Sequence, residues 1–260
     1  MTARSLARAA LLALLAGACR REAAERTPTG RASAAASAAA APAGFPAHRF
    51  PAPSRPVSGI VSPRWANEDS RDDAREADTV MTLLGVGPGT AVADIGAGDG
   101  YYTVRASRRV GPGGRVYAED ITPRYVGMLR DRLDDGDATN VTVVLGEPHD
   151  PRLPAGAVDV ALLVHMYHEI EQPYALLHNL APALRPGARV GILDLDRRTD
   201  SHGTPPSLLR CELERVGYRF TAQHALGPGE YLALFAPPEP PAPTPEQISA
   251  AVRAAPCAAR

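Results

Sequence analysis

Ala91-Val92-Ala93-Asp94-Ile95-Gly96-Ala97-Gly98-Asp99-Gly100-Tyr101-Tyr102-Thr103 is the stretch around which the chain is organised. Val92 to Ile95 read as a short buried strand. Gly96, Gly98 and Gly100 then form a glycine turn that opens a helix. Glycines alternate in such a turn where a ligand must approach the backbone more closely than any side chain would allow. The amides at the start of the following helix can hold a negative group. A nucleotide-type ligand on an α/β sheet is the first expectation.

The residues narrow the nucleotide. A dinucleotide fingerprint needs a third glycine for close helix–strand packing, and Tyr101 occupies that position. The phosphate loop of nucleoside triphosphatases needs lysine, and the chain has none. The pattern of two apolar residues, Asp94, an apolar residue, then Gly96, Gly98 and Gly100 at alternate positions resembles motif I of the class I S-adenosylmethionine-dependent methyltransferases.

Length and charge set the outer bounds. The 260 residues allow one sizeable domain with extensions, and a net charge of −1 offers no field for nucleic acid. Residues 1–19 have the layout of a secretory signal: Arg4 and Arg8, an apolar core from Ala9 to Ala16, then Gly17-Ala18-Cys19. That end resembles a bacterial lipobox in which Cys19 would carry lipid, although Ala16 replaces the usual larger aliphatic residue. Export to the cell envelope is expected; a mis-assigned start codon before a cytoplasmic enzyme is the alternative. Residues 20–58, rich in Ala, Pro, Ser and Arg, read as a disordered tether. The domain is expected over 59–237, with 59–86 as a lid region and 238–260 as a Pro/Ala-rich tail. Cys211 reads as a small buried apolar residue and Cys257 as part of the tail, so no disulfide framework is expected.

Within the domain, Ala77, Val80, Met81 and Leu84 give one apolar stripe of a helix spanning about Trp65 to Val86. The resemblance implies that this helix is a partial lid, with Trp65, Glu68 and Arg71 facing ligand. After the helix from Tyr101 to Val110, a second strand ends in Glu119-Asp120-Ile121. An acid there is placed to bond both ribose hydroxyls; Asp120 is the first choice and Glu119 the fallback, because neighbours on a strand face opposite sides. Strand Val141–Leu145 leads to a loop that, by resemblance, runs under adenine, with Glu147 as the edge acceptor and Pro148 lacking an amide to donate. Strand Val158–Val164 ends in His165-Met166-Tyr167-His168-Glu169, which the topology sets opposite the glycine turn. His168 and Tyr167 are the candidate base or orienting group for the acceptor. The HExxH zinc pattern is absent, so no metal is expected.

Leu184-Arg185-Pro186-Gly187 before strand Val190–Leu193 resembles the family's block ahead of its fifth strand. A helix from Pro206 to Val216 and two more strands follow. The alternation of strands and helices gives an α/β doubly wound sheet. The resemblance adds its order, 3-2-1-4-5-7-6 with strand 7 antiparallel. It also implies S-adenosylmethionine as cofactor, held by Asp94, Gly96, Ala97, Gly98, Gly100, Glu119, Asp120, Ile121, Glu147, Pro148 and His165. A small-molecule methyl acceptor is the expected partner. The alternative is an exported, non-catalytic nucleotide-ligand-binding lipoprotein on the same fold.

Overall fold

A computed structural model describes residues 43–61, 68–136 and 138–258. The expected signal, Cys19, residues 20–42 of the expected tether and Trp65 lie outside the described residues. Seven strands form one sheet: β1 (Ala91–Ile95), β2 (Arg115–Asp120), β3 (Val141–Leu145), β4 (Val158–Val164), β5 (Leu184–Leu195), β6 (Arg219–Gly227) and β7 (Glu230–Ala236). Their order is β3-β2-β1-β4-β5-β7-β6. β7 runs antiparallel to both neighbours and the remaining pairs are parallel.

Alternation along the central strands divides the core into two layers. Val92, Val160 and Leu162 are buried on one face with the stripe Ala77, Val80, Met81 and Leu84. Ala93, Ile95, Ala161 and Leu163 are buried on the other with Leu177, Leu209 and Ile248. Both faces of a parallel sheet must be covered, which is why these strands are apolar on successive residues. The helices are α1 (Glu68–Asp73), α2 (Glu76–Leu83), α3 (Tyr101–Val110), α4 (Pro123–Asp134), α5 (Pro173–Leu180), α6 (Pro206–Arg215) and α7 (Pro245–Ala254).

Three expectations change in the body of the domain. The single lid helix is two, because Arg75 takes a left-handed conformation (φ 53°) between α1 and α2. β5 starts at Leu184 instead of Val190, and its pairing with β4 is irregular between Val158 and Val160, where Pro186 offers no N–H to a regular ladder. Residues 43–58 are not tether: Phe50 is buried in the core and Arg55 is almost completely enclosed. They form a strap across the domain, in which Gly44 N donates to Asp150, Arg55 pairs with Glu212, and Ser58 N donates to the His168 carbonyl. Composition conceals the strap because a few widely spaced anchors hold it, with no continuous apolar face.

The tail is also structured. Thr244 and Gln247 form a reciprocal cap on α7, whose Ile248 and Val252 are buried. Beyond it, Cys257 is disulfide-bonded to Cys211 on α6. The two cysteines read separately in the sequence are therefore partners, brought together by the docking of α7.

Candidate active site

The turn after β1 begins the site. Gly96 and Gly98 have φ of 70° and 58°, the left-handed region, which lets the chain leave the sheet and double back as a loop. This loop, the ends of β2 and β4, and the strap surround a cleft of about 270 Å³. It lies outside the carboxyl ends of β1 and β4, where the order of a doubly wound sheet reverses.

Of the expected cofactor residues, Asp94, Gly96, Ala97, Gly98, Glu119, Asp120, Ile121, Glu147, Pro148 and His165 all line this cleft. Gly100 does not. It starts α3 with φ 92°, and a Cβ there would lie 2.5 Å from Leu129 Cδ1, so it serves helix packing.

The two β2 acids divide their work. Asp120 accepts from Gly98 N at 2.9 Å with one oxygen and from Thr122 N at 2.7 Å with the other. It thereby fixes the glycine loop, while each oxygen keeps a second lone pair. Glu119 is 1% exposed, and its Oε1 has no hydrogen-bond partner among the described residues. Burial, then the neighbouring Asp120 charge, pushes the Glu119 carboxyl well above the usual range. Gly146 makes room for it, since a Cβ there would stand 1.8 Å from Glu119 Oε1. A buried acceptor without a donor, beside a second carboxylate and an open glycine loop, fits the vicinal diol of an adenosine ribose. Asp94 receives the Thr103 hydroxyl at 2.6 Å, and burial pushes its carboxyl up to about 6.

The loop after β3 is a tight turn in which Glu147 and Asp150 exchange backbone bonds. The Glu147 carboxylate sits at the half-exposed rim, paired with Arg152. On the opposite wall, His165 (φ 52°) holds its Nε2 3.5 Å from Glu230 and 3.8 Å from Glu76. Glu76 also receives Arg71 and the Tyr102 hydroxyl. Burial would raise the Glu76 carboxyl, but His165 and the Arg71 guanidinium outweigh it and hold the group at about 2. Arg71 itself lines the cleft and lies over the Tyr101 ring. Glu68 instead bridges Arg105 and Arg132, tying α1 to α3 and α4 away from the ligand face expected for it.

The two expected catalytic side chains are not in the cleft. A 3-10 turn over Tyr167–Glu169 takes Tyr167 and His168 inward. Tyr167 is fully buried and donates its hydroxyl to Glu212 at 2.9 Å. His168 is 2% exposed, with Nδ1 3.0 Å from Asp194. The next residue, Glu169, is the one that reaches the cleft wall. Its Oε1 accepts from Val61 N at 3.2 Å, and burial raises its carboxyl despite that bond. Ser58 at the end of the strap and the three residues after it, to Val61, complete the wall. No sequence signal marked the strap; Glu169 stood one residue beyond the chosen histidine.

Comparison with known proteins agrees with this geometry. Residues 92–187 match the family model described as a methyltransferase domain. The arsenite methyltransferase of Halobacterium salinarum is 30% identical over 156 residues, 55% of this chain and 40% of that protein. The ubiquinone/menaquinone biosynthesis C-methyltransferase of Pseudomonas putida is 31% identical over 121 residues, 46% of this chain and 47% of that protein. The chain thus spans under half the length of these curated relatives. A crystal structure of an S-adenosylmethionine-dependent methyltransferase from Aquifex aeolicus superimposes with a TM-score of 0.60 at 25% identity, covering 64% of this chain and 92% of that one. Residues 92–187, with the glycine loop and acid pair they contain, thus match a methyltransferase domain, and the fold around them is similar to that of an S-adenosylmethionine-dependent methyltransferase.

Proposed function

We propose that the chain transfers a methyl group from S-adenosylmethionine to a small-molecule acceptor, and that it works in the bacterial cell envelope, anchored through lipid on Cys19. The observation that carries the catalytic reading is the cleft between the Gly96–Gly98 loop and the end of β4, with the buried, unpartnered Glu119 Oε1 on its floor.

When bound, S-adenosylmethionine supplies a methyl group on a sulfonium, whose leaving group needs no acid. The chain's task is then mainly to position an acceptor, which can supply several powers of ten in rate. Glu119 and Asp120 hold the ribose side. Gly96 and Gly98 admit the ligand to the backbone. Glu169, the raised carboxyl on the wall nearest the strap, is the group able to take a proton from an acceptor that loses one as it attacks. Ile60, Val61, Met166 and Ile170 supply apolar surface on the same side, suited to an uncharged acceptor. The Cys211–Cys257 disulfide supports export, since such bonds persist in oxidising compartments.

Calorimetric titration of the chain from residue 43 onward with S-adenosylmethionine, S-adenosylhomocysteine and NAD tests the cofactor. Micromolar binding of the two sulfur nucleotides and none of NAD is expected. Failure of all three with a folded sample would refute the catalytic reading. Incorporation of labelled fatty acid in cells, abolished by Cys19→Ser, tests the anchor; an unlabelled wild-type chain in the cytosolic fraction would refute it.

A further inference from the structure

Beside the cleft, on its β4–β5 side, stands a second group of polar side chains, of which the methyl-transfer reading uses only Glu169, and there as a proton acceptor in place of a metal ligand. His168 Nδ1 lies 3.0 Å and 3.1 Å from the two oxygens of Asp194. Asp194 is wholly buried and also receives the Thr204 hydroxyl at 2.7 Å and Leu195 N at 2.8 Å. Its carboxylate is thus held rigidly and fixes the tautomer of His168 with the proton on Nδ1. The lone pair of Nε2 then points away from Asp194, and Glu169 Oε1 lies 3.9 Å from that nitrogen. His202 approaches from the loop after β5, with its ring edge-on to His168 at 5.5 Å. One donor atom from each of His168, Glu169 and His202 falls within 4.8 Å of the others.

We propose that His168, Glu169 and His202 bind a divalent transition-metal ion, with Asp194 as the carboxylate that orients His168. Two imidazoles and one carboxylate form a donor set suited to zinc or cobalt, and three protein ligands leave a coordination position open. A metal-ligating histidine that donates its other N–H to a carboxylate is the usual supporting arrangement, and here that carboxylate is already in place. The sequence hid the set because His202 is 34 residues beyond His168. They meet only because the end of β4 and the loop after β5 lie side by side in the sheet. Glu169 belongs both to this group and to the cleft wall, so the ion would sit against the acceptor end of the cleft. A second His/Glu group, Glu76, His165 and Glu230, is less suited, since the Arg71 guanidinium already sits on the Glu76 carboxylate, whereas Glu169 accepts only one neutral backbone N–H.

The test is metal content and cobalt spectroscopy on the full chain, dialysed against chelator and then against zinc or cobalt(II). One equivalent is expected, with the visible absorption of a four- or five-coordinate cobalt site. His202→Ala should weaken metal binding at least tenfold, and Asp194→Asn should weaken it by 10–100-fold, roughly as for other supporting carboxylates. Binding of S-adenosylhomocysteine by His202→Ala should stay within about twofold of wild type, which separates loss of the metal site from loss of the cofactor reading. If His202→Ala does not fold, His202→Gln makes the same test. The proposal is overturned by a wild-type chain that takes up no stoichiometric metal, by undiminished affinity in both variants, or by a site lost in His165→Ala but kept in His202→Ala.

Discussion

Arg55→Ala should be among the most damaging single substitutions in this chain, although the sequence places Arg55 in a polar, proline-rich segment. The guanidinium and the Glu212 carboxylate are 3% and 0% exposed and meet at 3.0 Å. Arg55 also donates to the carbonyls of Tyr167, His168 and Ile170. Its removal strips Glu212 of its charged partner and leaves only the Tyr167 hydroxyl. Breaking a buried pair from one side costs about 3–5 kcal/mol. For a domain of this size that is a fall in Tm of roughly 6–20 °C. Burial already raises the Glu212 carboxyl, and the Arg55 charge opposes that rise. Without Arg55 the group is raised further, so the variant's extra deficit is small at low pH and grows as pH rises through the folded-state value. Replacing both partners with apolar residues, Arg55→Met with Glu212→Leu, should recover most of the loss, because no uncompensated charge remains. Thermal melts of the two single variants and the double variant at pH 5 and 8 supply the cycle. A single-variant Tm within about 2 °C of wild type, or additive losses in the double variant, would refute the account of the strap as anchored by this pair.

Three further outcomes follow from particular contacts. Asp94 has its carboxyl raised from 3.8 to about 6, chiefly by burial; a raised folded value stabilises below about pH 4, and that benefit disappears as pH climbs past 6. Asp94→Asn should therefore gain stability relative to wild type between pH 4 and 7, by about 3 kcal/mol at most, and a pH-independent difference in denaturant midpoints would count against this. Gly146→Ala puts a Cβ into the Glu119 carboxylate, and should weaken S-adenosylhomocysteine binding by about 1–3 kcal/mol through the displaced acceptor; calorimetry giving wild-type affinity would remove Glu119 from the ligand. Cys211→Ser with Cys257→Ser opens a cross-link spanning 46 residues, worth about 4 kcal/mol by loop-closure entropy; if the oxidised wild type and the double variant melt together, α7 is held by packing alone.

What could be read in advance was whatever local chemistry repeats. The strands β1, β3 and β4 and the helix α3 were visible as apolar runs, glycine punctuation and helical spacing. One wall of the cleft was visible for the same reason: it is built from the backbone of one turn, Gly96 to Gly98, and from acids at fixed places on the next strands. The sheet order and the antiparallel β7 came from resemblance, not from periodicity.

The opposite wall was decided by tertiary structure. Tyr167, His168 and Glu169 are consecutive, and only the 3-10 turn determines that the first two go inward and the third reaches the cleft. Asp194 and His202 lie 26 and 34 residues beyond His168 and meet it through the pairing of β4 with β5. The strap and the tail are the same case on a larger scale. Their composition resembles that of an unfolded chain, yet Phe50, Arg55, Ile248 and Cys257 each find a partner far away in the sequence. Periodicity records which face of an element is buried. It carries no record of which distant side chain will lie across from it, because that depends on how whole elements pack and not on any neighbour along the chain.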